Sequence, residues 1–134
     1  MNELEALREQ FRGDRFATEQ AGITISEAHE GYALCEMPLT PLHRNARGTP
    51  MGGAIFTLAD FASAVAANFG LTDTTVISLH SDITFLSAAK GEKLLAEATR
   101  VRHGRTVTLY EVTVTDELGT LVARVGMNGY AVKR

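Results

Sequence analysis

Hydrophobic and polar positions change period several times along this chain. Leu4, Leu7, Arg8 and Phe11 recur at helical spacing until Gly13-Asp14 breaks the pattern, which predicts a short amphipathic helix over 1–13, a flap or cover. Two strand-like runs, 22–28 and 32–37, flank the turn-forming His29-Glu30-Gly31 and predict a hairpin. From 38 to 53 the chain carries three prolines and three glycines with almost no period, so it reads as a loop, and a loop that long in a compact domain is functional or disordered. The segment 54–69 is apolar nearly all round, with Asp60 as its only charge, and predicts a buried helix. Four alternating or β-branched segments follow, 76–86, 93–101, 105–115 and 121–132, with turn signals at 88–91, 103–104 and 116–119. Turns that short link antiparallel strands. The expectation is one α+β domain over 1–134, a long antiparallel β-sheet wrapped around one central helix at 54–69.

Composition narrows the function classes. A chain of 134 residues, 45% hydrophobic and 22% charged, suits one domain with its own core. Its net charge of -3 provides no basic field for phosphate neutralisation, so nucleic acid is not an expected partner. Cys35 is the lone cysteine and forms no internal disulfide, and the first thirty residues lack a basic stretch followed by an apolar run. Both point to a reducing cytoplasm. The apolar segment 54–69 falls short of the roughly 20 residues a membrane span needs, so no membrane partner is expected either.

The candidate chemistry sits where the loop enters the buried helix. In His43-Arg44-Asn45-Ala46-Arg47-Gly48-Thr49-Pro50-Met51-Gly52-Gly53, the glycines allow a ligand to approach a helix N-terminus, where unpaired amides and the positive dipole end favour developing negative charge. A lone Gly-Gly there is more often just a tight turn. Asp60 changes the balance, because a single carboxylate on so apolar a helix is costly unless it is paired, hydrated in a cleft, or used. In use it is a general base or a nucleophile. Seven residues at about 1.5 Å rise place it roughly 10 Å along the axis from Gly53. One carbonyl therefore does not lie within about 3 Å of both in one chain, and a site using both is shared between two subunits.

The run Asn45, Gly48, Gly52-Gly53 and then Asp60 in a small-residue helix resembles the signature of PaaI-like (phenylacetate-degradation type) hotdog thioesterases. The segment from Ser78 through His80, Asp82, Thr84 and Phe85 to Lys90-Gly91 fits the same family, as do the Arg102-His103-Gly104-Arg105 turn and the closing 116–126 hairpin. The resemblance covers about 22–132. It implies hydrolysis of an acyl-CoA at a dimer interface. The amide of Gly52 or Gly53 would polarise the thioester carbonyl with Asn45 beside it. Asp60 of the other subunit would attack or activate water, which Ser78 would help to hold. It also implies a homodimer at least, with a dimer of dimers as the expected assembly, and no cofactor, since coenzyme A is part of the substrate. Taken alone, Ser78 reads as inward strand packing and Asn45 as a turn residue.

The family commonly has histidine just before the two glycines, and this chain has Met51, whose thioether is at best a weak acceptor. His43 reads equally as a loop residue or as pocket lining, and His80 as structural. Arg100, Arg102 and Arg105 cluster around the 103–104 turn and would suit the phosphates of coenzyme A, although each reads at least as readily as a solvated hairpin end. Cys35 has no neighbouring base and looks like strand packing. No His, Cys and carboxylate spacing fits a metal site. Two other readings stay open: a non-catalytic acyl-CoA-binding hotdog protein, sensor or carrier, and a hydratase or dehydratase of the same fold.

Overall fold

The computed structural model describes residues 2–134, so Met1 of the helix expected over 1–13 lies outside the described residues. Helix α1 spans Glu3–Phe11, where the Asn2 side chain caps it by accepting from the Glu5 amide at 2.8 Å. Its Leu7 and Phe11 are buried, and Phe11 meets Phe61 edge to face with ring centres 5.6 Å apart. Arg8 donates to the Ile25 carbonyl and ties the cover to the first strand. A one-turn π-helix, Phe16–Gln20, follows that no periodic signal predicted.

Strands β1 (Thr24–His29) and β2 (Tyr32–Pro38) form the expected hairpin. Helix α2 runs Gly52–Asn68, beginning two residues before the expected start and ending one residue before the expected end. Strands β3 (Thr74–Phe85), β4 (Lys93–His103), β5 (Val107–Asp116) and β6 (Leu121–Lys133) complete a six-stranded sheet in the order β1-β2-β4-β5-β6-β3, with every pair antiparallel. Every strand touches α2, and the fully buried Leu58, Ala59, Ala62 and Val65 fill the space between helix and sheet. This is the α+β hotdog architecture. No helix among the described residues is long and apolar enough to cross a membrane.

The topology departs from a chain of hairpins at one point. The turn signals at 88–91 suggested that β3 turns back onto β4, but β3 lies at the far edge beside β6, with β5 and β6 between it and β4. The connection is held by a buried carboxylate: Asp116 accepts from the amides of Lys90 and Gly91 at 2.8 and 3.0 Å and from those of Leu118 and Thr120 at 3.0 and 2.8 Å. The other end of β3 is fixed by Asn68. Its side chain accepts from the Val76 amide at 2.7 Å and donates to the Val76 carbonyl at 3.2 Å, so the last turn of α2 pairs with the strand as a neighbouring backbone would.

Among the described residues the sheet carries four register shifts, and two of them decide where the candidate residues point. In β3 the register shifts between Ser78 and His80, leaving Leu79 as the extra residue. Strict alternation would put Ser78 and Phe85 on opposite faces; with the bulge, both point at α2. In β4 the shift between Arg100 and Arg102 has the reverse effect and sends two residues of like parity to different faces.

Candidate active site

The loop before α2 is ordered by its own hydrogen bonds. Thr40 caps a short 3-10 helix, Pro41–His43, and Arg44 bridges back to Pro50. Asn45 Oδ1 accepts from the Arg47 amide at 3.0 Å and from the Thr49 amide and hydroxyl at 3.2 Å each, so only its Nδ2 end is left for a ligand. Gly48 takes a positive φ of 84° to close this turn. His43 faces inward: its Nδ1 accepts from the Thr40 amide at 3.0 Å, so Nε2 carries the proton and donates to the Ala21 carbonyl at 2.8 Å. Both ring nitrogens are engaged, Nδ1 in closing the Thr40–His43 turn and Nε2 in tying the loop to Ala21 at the end of the π-helix. These bonds give His43 a part in holding the loop.

Met51 is the residue before α2; it offers no side-chain cap, and its thioether is exposed. The first amides bonded to Met51 O come from Ala54 and Ile55 at 3.0 and 3.1 Å, which leaves Gly52 and Gly53 as the free leading amides of α2. The two glycines have different reasons. A Cβ on Gly52 would lie 2.9 Å from the Phe85 ring, whereas one on Gly53 would meet nothing within 4 Å. Asn45, Thr49, Gly52, Ile55 and Phe85 line a cleft of about 450 Å³ at this end of the helix.

Asp60 lies on a different cleft. Together with Asp14, Arg15, Phe56, Thr57 and Phe61 it lines a space of about 480 Å³ beneath the π-helix. The carboxyl is half-buried and accepts from the Ser78 hydroxyl at 3.2 Å. Burial raises its proton affinity above that of an ordinary aspartate; the Ser78 bond works against that rise and the nearby Asp14 charge adds to it. Ser78 and Asp60 are thus brought together, Asn45 and Gly52 are brought together, and the two pairs open onto separate clefts of one chain.

The arginines do not form one group. Arg100 packs against Gly31 and pairs loosely with Glu30 at 3.9 Å, whereas Arg102 and Arg105 stand exposed at the β4–β5 hairpin. The expected cluster is split because the β4 bulge at Val101 separates Arg100 from Arg102. Cys35 is fully buried, and burial with the neighbouring Glu36 charge pushes its thiol up to about 12, which suits packing and not a nucleophile. Among the described residues no three His, Cys, Asp or Glu side chains are grouped to hold a metal ion. Sequence reasoning missed Phe85, Asp14 and Arg15. Phe85 was hidden by the β3 bulge, and the other two by a π-turn that leaves no periodic signal.

Comparison with known proteins shows what the chain is similar to. Residues 48–123 match the model of the Thioesterase superfamily. Human acyl-coenzyme A thioesterase 13 is 30% identical over 90% of this chain and 87% of its own length, and the acyl-coenzyme A thioesterase PaaI of Escherichia coli is 31% identical over 76% and 72%. A relative from Archaeoglobus fulgidus is 39% identical over 74% of this chain, which spans 64% of that relative's length. The solved structure of E. coli PaaI superposes with a TM-score of 0.83 over 96% of each chain at 23% identity. A Streptococcus mutans protein solved bound to acetyl CoA superposes with a TM-score of 0.77 over 84% of this chain and 90% of its own, at 26% identity.

Proposed function

This chain belongs to the thioesterase superfamily, in its PaaI-like branch, and on that premise we propose that it hydrolyses an acyl-CoA thioester to free acid and coenzyme A. The observation that carries the reading is the pair of half-sites on one helix: free amides with Asn45 at its N-terminus, and a half-buried carboxylate of raised proton affinity farther along. A carbonyl oxygen held by the Gly52 and Gly53 amides gains charge as the carbonyl carbon becomes tetrahedral, and those amides are placed to favour it. Asp60 either takes a proton from the attacking water or bonds to the carbonyl carbon itself, giving an anhydride that water then opens. In both cases the C–S bond breaks and the thiolate leaves to be protonated. The reaction uses no metal and no cofactor beyond the coenzyme A of the substrate.

The two half-sites meet when two copies pair. Strand β3 is a long sheet edge with Ile77 and Leu79 half-exposed or more, and an unpaired apolar edge is the usual place for a further strand to add. Two copies running their β3 strands antiparallel about a twofold axis would set the α2 N-terminus of one beside Asp60 of the other. Of the three candidate arginines, Arg102 and Arg105 at the exposed hairpin are the two left to meet phosphates.

The test joins chemistry to assembly. Short-chain, medium-chain and aryl acyl-CoAs are incubated with the protein and a thiol reagent, and free thiol is expected from at least one class. Binding without thiol would support the sensor or carrier reading, and an altered acyl group would support hydration. Asp60→Ala and Asn45→Asp are each expected to be inactive, the second because it keeps the loop-forming oxygen and replaces the Nδ2 donor with a negatively charged acceptor. After subunit exchange, statistical mixing should restore about a quarter of wild-type activity, because half the dimers then carry one intact site of two. A monomer by light scattering that is fully active refutes the shared site.

A further inference from the structure

Ser78, Gly129 and Thr108 form one row across three strands: Ser78 of β3 pairs with Gly129 of β6, and Gly129 pairs with Thr108 of β5. All three face the helix side of the sheet, where Ser63, Ala67 and Tyr110 line a cleft of about 30 Å³ with them. Thr108 is buried, and its hydroxyl is the one buried side-chain polar atom among the described residues with no hydrogen-bond partner. An orphan of that kind is costly enough to need an explanation. Gly129 is the second sign. Its φ is not in the left-handed region, yet a Cβ there would lie 2.5 Å from Val76 Cγ1 and 3.0 Å from Thr108 Oγ1. Glycine lets Val76 Cγ1 lie close over the backbone there and leaves room for the Thr108 hydroxyl.

We propose that this cleft is a binding site for one structural water, which bridges the Thr108 and Ser78 hydroxyls beside the Val76 methyl and makes Thr108 a positioning residue for Ser78. Dimensions fit. Neighbouring strands stand about 4.8 Å apart, so the Ser78 and Thr108 backbones are roughly 10 Å apart, and two hydroxyls sharing a water span about 5.6 Å between them. About 30 Å³ exceeds the space one water requires, and the lining supplies the polar partners such a water needs. Hydrogen bonding then has a direction. Thr108 donates to the water and the water donates to Ser78. The single Ser78 proton is thereby reserved for Asp60 Oδ1, the contact seen at 3.2 Å.

The inference rests on Asp60 as the reacting carboxylate, but its test needs no turnover. The charged and titratable groups facing this region, Asp14 and Arg15 at the Asp60 cleft and Tyr110 beside Thr108, are unchanged in every variant used. Crystal structures of the unliganded protein are compared with carbon-detected NMR titration of the Asp60 carboxyl. The wild type is expected to hold an ordered water within hydrogen-bonding distance of Thr108 Oγ1 and Ser78 Oγ. Thr108→Val, nearly isosteric, should lose it and titrate Asp60 about 0.5 unit higher because the carboxylate loses a well-oriented donor. Thr108→Ser should keep both properties. Should Thr108→Val fail to fold, Thr108→Ala, which removes the hydroxyl and adds no bulk, should raise the Asp60 midpoint likewise. No water bridging Thr108 and Ser78, or an Asp60 midpoint that ignores these substitutions, overturns the proposal, even if acyl-CoA is hydrolysed as expected.

Discussion

Asp60→Asn is expected to lower acyl-CoA hydrolysis by about 10²–10⁴-fold while leaving the protein at least as stable as the wild type. The substitution keeps the size of the side chain and an oxygen for the Ser78 hydroxyl, and removes the charge and the basic site. Substrate binding should persist, because the Gly52 and Gly53 amides are untouched. The stability expectation follows from the direction of the Asp60 shift. Burial raises its folded-state proton affinity, so the charged form is disfavoured in the folded protein above the ordinary aspartate range, and that penalty fades as pH falls through the raised value. The variant should therefore melt at the same or a higher temperature at neutral pH, and the difference should vanish in acid. Wild-type hydrolysis should fall on the acidic side at a pH above the usual aspartate range. A carboxylate that merely pairs in the core predicts the opposite pattern, a marked loss of melting temperature with activity lost only alongside the fold. Melting temperature and single-turnover rate on one preparation separate the two. A folded Asp60→Asn protein with near-wild-type turnover removes Asp60 from the chemistry.

The central helix was readable from sequence because 54–69 is apolar on all sides, and only an element wrapped by others accepts that composition. Asp60 stood out against the same background. The strands were readable for a related reason: one face packs on the helix and the other does not, which writes an alternating pattern. The bulges were not readable. Leu79 and Val101 are ordinary strand residues, and nothing in their identity says that the side-chain parity of β3 and β4 flips there. That is why Phe85 over Gly52 went unseen and why Arg100, Arg102 and Arg105 looked like one group. His43 was ambiguous because an imidazole serves a scaffold or a ligand equally well until both of its nitrogens are located. Strand order was hidden because a seven-residue connection looks the same whether it turns back or crosses over.

That crossing makes Asp116 the residue whose loss should damage the fold most. The sequence presented it as a turn former, yet its side chain is buried and takes amide hydrogen bonds from both sides of the fold. Lys90 and Gly91 donate from the segment that carries the chain across, and Leu118 and Thr120 from the β5–β6 turn. Burial alone would raise the proton affinity of this carboxyl. The amides of Lys90, Thr120 and Gly91 outweigh that effect and hold it well below the ordinary carboxylate range. Asp116→Asn turns one end of the side chain from acceptor to donor, facing backbone amides that also donate, so at least one pair of amides is left buried without a partner. The expected result is a fall in melting temperature on the order of 10 °C at neutral pH, with poor recovery of folded protein. The sign of the pH dependence is opposite to that of Asp60. A depressed folded-state value contributes stability that is fully present above the unfolded value near ~3.9 and is lost as pH falls through the folded one. The gap between wild type and Asp116→Asn should accordingly be widest at neutral pH and narrow below about pH 4. Thermal melts of both proteins from pH 3 to 7 measure this directly. A variant that melts with the wild type across that range would mean that the Lys90–Gly91 crossing is held by other contacts.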